Sequence, residues 1–129
     1  MKKALAVAAI ALAVLSIAFA CYAGAKAVTD DNYSDEVRRT YDPVLLEFWA
    51  PYCPACRKMT PIVNAVADEY AGKVKVITVN TEENPKAAKE YNINKIPAFF
   101  YIKDGYIVNS AIGSMSKEEL IKDLGLPKK

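Results

Sequence analysis

The 129-residue chain reads as an α/β protein: a central mixed β-sheet flanked by helices, preceded by an N-terminal export segment. Three observations predict this. Helix-period and strand-period stretches alternate along most of the chain, which is the pattern of a sheet covered by helices on both faces. One strand-length run, residues 44–50, is apolar nearly throughout, as in a strand buried on both sides. Near the C-terminus two strand patterns are joined by Asp104-Gly105, a hairpin signal that requires an antiparallel pair.

Residues 1–25 read as the export segment and residues 26–129 as the folded domain. Lys2 and Lys3 precede a run from Ala4 to Ala20 that is apolar except at Ser16. A short positive head before such a stretch is the pattern of a secretory signal. Ala18 and Ala20 fit a cleavage site before Cys21, and Ala23/Ala25 and Ala25/Ala27 offer later ones. Residues 4–25 are also long enough for a retained membrane anchor, which needs ~20 residues. A third route is lipidation at Cys21, although Ala18-Phe19-Ala20 fits a lipoprotein box poorly. All three routes place the domain outside the cytoplasm, in the periplasm or cell envelope.

Within the domain, residues 31–39 read as a short helix with acids at its start and Arg38 and Arg39 at its end. Asp42-Pro43 is a turn into the buried strand. Residues 54–70 predict a long helix with Ile62, Val63, Val66, Ala67 and Tyr70 on one stripe. Pro61 inside it deletes a backbone donor and predicts a kink. Residues 73–80 carry Val74, Val76 and a β-branched tail, a second strand. A helix over 85–91 follows, with Pro85 at a permitted first-turn position. Strands at 98–103 and 106–110 flank the hairpin. Ser116 with Glu119 forms a capping box for a last helix ending near Leu124, stopped by Gly125 and Pro127.

Charge and composition narrow the function. The chain has 17 Lys+Arg and 15 Asp+Glu, and Lys2 and Lys3 fall in the export segment, so the remaining domain is neutral. A neutral mixed-charge surface offers no footprint for nucleic acid or an anionic membrane. There is no histidine, which removes Ser/His/Asp and Cys/His hydrolases and histidine metal sites. No cofactor is expected, since no glutathione or nucleotide site is evident.

The chemistry is carried by Cys53 and Cys56, a C-x-x-C at the junction of the buried strand and the long helix. First-turn amides are unpaired there, and the positive end of the helix dipole favours thiolate over thiol. Such positions lower a cysteine pKa from ~8.5 to as little as ~3.5. A three-residue spacing brings Cys56 close behind Cys53, so the pair can close a disulfide. Cys53 is expected to face solvent and attack, and Cys56 to lie beneath it and resolve the mixed disulfide. A merely structural bridge is a weak alternative, because so short a loop restrains the unfolded chain little.

The segment Phe48-Trp49-Ala50-Pro51-Tyr52-Cys53-Pro54-Ala55-Cys56 resembles the active-site stretch of the thioredoxin superfamily. Cys53, Pro61, Asn84-Pro85, Pro97, Lys103-Asp104-Gly105 and Gly113 fall into that family's register without a gap, and the likeness covers roughly residues 30–124. The resemblance implies a thioredoxin-like fold and thiol–disulfide exchange with protein substrates. It implies that Ile96-Pro97 is a cis pair beside the attacking sulfur, and that Gly113 belongs to the substrate groove. Periodicity alone reads Glu47 as a carboxylate reaching solvent at a sheet end. The resemblance instead makes it the buried acid that relays a proton for the resolving cysteine, with a pKa raised by desolvation. Trp49, Tyr52, Ile96, Ala98 and Ile112 admit both a core and a docking reading. Tyr52, Ile96, Pro97 and Gly113 are read as a landing strip for extended peptide, with Trp49 packed beside the disulfide.

Three positions depart from the pattern. Pro54-Ala55 replaces the Gly-Pro of cytoplasmic thioredoxins, Thr78 replaces a lysine often paired with the buried acid, and Lys95 replaces a glycine before the Ile-Pro pair. The favoured direction is reduction, which requires a membrane electron-relay protein as donor outside the cytoplasm. Oxidation or isomerisation of disulfides is the alternative within the class. A Cu(I) carrier using the C-x-x-C and a redox-inert adaptor are the rivals outside it. Zinc would want four ligands, and only two candidates are present.

Overall fold

The computed structural model describes residues 24–128. The export, anchoring and lipidation readings fall on residues outside these, apart from residues 24 and 25. Among the described residues no helix is long and apolar enough to cross a membrane.

The elements are β1 (Lys26–Ala27), α1 (Ser34–Arg38), β2 (Val44–Trp49), α2 (Pro54–Glu69), β3 (Lys75–Asn80), α3 (Pro85–Glu90), β4 (Ala98–Lys103), β5 (Tyr106–Ile112) and α4 (Lys117–Leu124). The five strands form one sheet in the order β1-β3-β2-β4-β5. β1, β3 and β2 run parallel, β4 runs antiparallel to β2, and β5 runs antiparallel to β4. This is the mixed sheet expected of a thioredoxin-like fold.

Central β2 is apolar on both faces because both are covered. Val44, Leu46 and Phe48 pack with Val28, Val37, Ile77, Ala87 and Ile102 on one side. Leu45 packs with Met59, Val63, Val66, Phe99, Leu120 and Leu124 on the other, under α2 and α4. Alternation along the strand puts Glu47 on this second side. The stripe on α2 is as expected, except that Met59 joins it and Ile62 is only half-buried. The helix runs unbroken across Pro61.

Three element readings need correction. β1 was not anticipated: two residues with no alternation become a strand only because Lys26 and Ala27 pair with Ile77 and Thr78. The helix expected over 31–39 shrinks to one π-wound turn, closed by the Arg39 N–H donating to the Ser34 carbonyl at 3.0 Å. Its expected first turn is taken by a local one, in which the Thr29 N–H donates to Asn32 Oδ1 at 2.8 Å. β5 runs two residues beyond Ser110, because Ala111 and Ile112 pair with Phe99 and Ala98.

Candidate active site

The end of β2 delivers the chain to α2 through Ala50, Pro51 and Tyr52, with the Cys53 N–H donating to the Ala50 carbonyl at 3.2 Å. Cys53 is the N-cap of α2, in extended conformation, and Pro54 takes the first helical position. Cys53 and Cys56 form a disulfide with their Cα atoms 5.2 Å apart. The Cys56 N–H donates to Cys53 Sγ at 3.1 Å. A helix amide therefore already points at the sulfur that would carry charge after reduction, in line with the dipole. Among the described residues no group of three or more His, Cys, Asp or Glu is placed to hold a metal.

Cys53 is less open than expected. It is 7% exposed against 1% for Cys56, so Cys53 is the more accessible residue of the pair but not solvent-facing. What covers it is the loop before β4. The Ile96–Pro97 peptide is cis, and Cys53 Sγ lies 3.8 Å from the Ile96 carbonyl oxygen. Pro97 itself is buried. The Gly113 N–H donates to the Pro97 carbonyl at 2.9 Å, tying the end of β5 to this loop. Gly113 adopts φ +98°, a region other residues rarely enter, while a Cβ there would meet nothing within 4 Å. Its requirement is conformational.

Around this centre, Tyr52 and Ile112 are exposed, Ile96 is half-buried, and Ala98 is buried in the core. Ile112 is thus at the surface, which leaves it the docking reading, and Ala98 belongs to the core. Trp49 is half-buried. Its carbonyl accepts from the Thr81 N–H at 2.9 Å, and the residue lines a cavity together with Glu47.

Glu47 does not reach solvent. It is 4% exposed, between Thr78 on β3 and Phe99 on β4. Burial alone pushes its pKa from 4.5 to about 7. The site expected for the lysine partner holds Thr78, so no cation offsets the desolvation. The cavity, about 130 Å³, is lined by Ala25, Glu47, Trp49, Thr60, Val63, Asn64 and Thr78.

Thr60 and Asn64 were not singled out from the sequence. They follow Cys56 at intervals of four, which places all three along one line of α2. The Thr60 hydroxyl donates to the Cys56 carbonyl at 3.3 Å. That spacing was the available signal.

The thioredoxin family's sequence pattern matches residues 24–125. The chain is 43% identical over 100 residues to "Thioredoxin 1" of Synechococcus elongatus, covering 78% of this chain and 94% of that protein. It is 42% identical over 97 residues to "Thioredoxin 1" of a Nostoc species, covering 75% of this chain and 91% of that protein. "Thioredoxin M-type, chloroplastic" of Chlamydomonas reinhardtii is 39% identical over 100 residues, covering 78% of this chain and 71% of that protein.

Proposed function

The chain belongs to the thioredoxin family and is a thiol–disulfide oxidoreductase; from that premise we propose that it reduces protein disulfides outside the cytoplasm. Cys53 is the nucleophile, Cys56 the resolving thiol and Glu47 its base. The observation that carries this reading is the Cys53–Cys56 pair at the start of α2, set against the cis Ile96–Pro97 peptide, with a buried carboxylate on the adjoining strand.

In the reduced enzyme the Cys53 thiolate attacks one sulfur of a substrate disulfide. That bond breaks, a mixed disulfide forms, and the first substrate sulfur leaves as a thiolate that solvent protonates. Glu47 accepts the Cys56 proton, and the new thiolate attacks Cys53 Sγ. The mixed disulfide breaks and the second substrate thiolate leaves. The substrate has gained two electrons, and the enzyme holds the Cys53–Cys56 disulfide. A base whose pKa is raised to about 7 suits this step, because it can take and return a proton near neutral pH.

The groove beside the disulfide supports an extended peptide as substrate. Tyr52, Ile96 and Ile112 offer apolar contact, and the Pro97–Gly113 backbone link holds the wall in place. Export rests on the Lys2-Lys3 head and the apolar run after it. Outside the cytoplasm the oxidised enzyme is re-reduced by a membrane electron-relay protein, and residues 4–25 provide an anchor if they are retained.

The deciding measurement is the reduction potential of the Cys53–Cys56 couple, equilibrated against dithiothreitol or glutathione buffers. A value near ~−270 mV is expected for a reductase. A value near ~−120 mV would reverse the direction and make the protein a disulfide donor.

A further inference from the structure

We propose that Asn64 is a positioning residue for proton transfer: by clasping the backbone of Ala25 it closes the outer wall of the cavity that serves Glu47. The inference rests on the reading of Glu47 as the base in the reaction.

Ala25 and Asn64 are 39 residues apart in sequence, yet the Ala25 N–H donates to Asn64 Oδ1 at 3.3 Å. Both residues line the same cavity as Glu47. The segment carrying Ala25 is held there from the other side as well. Lys26 pairs with Ile77 on β3, its ammonium group reaches Glu36 on α1 at 2.6 Å, and the Val28 N–H donates to the Thr78 carbonyl at 2.9 Å. The cavity wall is therefore built from the N-terminal segment, β2, β3 and α2, and the clasp ties the first of these to the last.

Inside, Glu47 is the one titratable residue of the lining. β3 contributes Thr78, α2 contributes Thr60, Val63 and Asn64, and the N-terminal segment contributes Ala25. None of these is charged, and the group that exchanges its proton with Glu47 is the reduced Cys56 thiol. Three polar side chains and about 130 Å³ give room for bridging water, each molecule taking ~30 Å³. A proton leaving Glu47 for solvent passes this space. A closed wall limits the water that reaches Glu47 and holds its proton affinity up, whereas an open one re-solvates the carboxylate. A leader cut after Ala25 or Ala27 would remove the clasp, while a cut before Cys21 would keep it.

The test uses the full chain in its oxidised form and follows the Glu47 protonation midpoint through the infrared carboxylic C=O band. Asn64→Ala removes the acceptor at an exposed position, so the core is untouched. Ala25→Pro removes the donor. In both variants the midpoint should fall from about 7, by roughly one pH unit, toward the ordinary carboxylate range. A midpoint unchanged in Asn64→Ala overturns the proposal. The measurement involves no turnover, so it stands apart from the role of Glu47. That role fails separately if Glu47→Gln resolves a Cys53 mixed disulfide at the wild-type rate.

Discussion

Glu47 holds its proton because the fold withholds water from it, with no charged neighbour to compensate. Folded, it ionises near 7; unfolded, near the ordinary 4.5. Between those values the folded state binds more protons than the unfolded one, so stability falls as pH rises from 4.5 to 7 and is level above. At ~1.4 kcal/mol per pKa unit, the ionised carboxylate costs the fold about 3 kcal/mol. The Glu47→Gln protein should lose that dependence. Urea midpoints at pH 5 and pH 8 should fall with pH in the wild type, by roughly 2–3 kcal/mol of stability, and stay level in the variant. Equal slopes would mean that Glu47 is solvated. Cys53 and Cys56 were legible as single residues, because a C-x-x-C is a local pattern, whereas Pro97 was legible only through the family resemblance, an Ile-Pro pair by itself fitting an ordinary loop or edge-strand proline. The burial of Glu47 was expected from the family resemblance and not from periodicity, since period-two alternation names a face of the strand without saying what covers it.

At the scale of elements, legibility followed local chemistry. The capping box of α4 is present as read: Ser116 Oγ accepts the Glu119 N–H at 3.2 Å, and Glu119 Oε2 accepts the Ser116 N–H at 2.8 Å. The β4–β5 hairpin is likewise set by its turn, where Asp104 and Gly105 take φ of +51° and +79°. Positive φ at both central positions matches the twist of the flanking strands and suits glycine. Gly105→Ala should therefore cost about 1 kcal/mol, read as a lower urea midpoint, with the reduction potential unchanged. A neutral substitution would mean the turn relaxes to another type. β1 and α1 were missed or misjudged for the opposite reason. Two paired residues and one π-wound turn have no pattern of their own, and their partners on β3 and in the core define them.

Across the whole molecule, the sheet separates two apolar clusters. Phe99, fully buried under α2 and α4, lies opposite Glu47 on β4. Phe99→Ala should cost about 3–5 kcal/mol, a large share of a typical 5–15 kcal/mol, and chemical denaturation reads it directly. Ile107→Ala, on an exposed stretch of edge strand β5, should change stability by less than ~0.5 kcal/mol. The sequence by itself determined the α/β class, the order of the longer elements, the helix-start cysteines and the hairpin, because each depends on spacing within a few residues. Only the tertiary structure decided between the solvent-reaching and buried readings of Glu47, showed that Cys53 is sheltered and not solvent-facing, and brought residues 25 and 64 together over one cavity. Those features depend on what distant segments bring against a surface, and desolvation and packing arise only once both sides are in place.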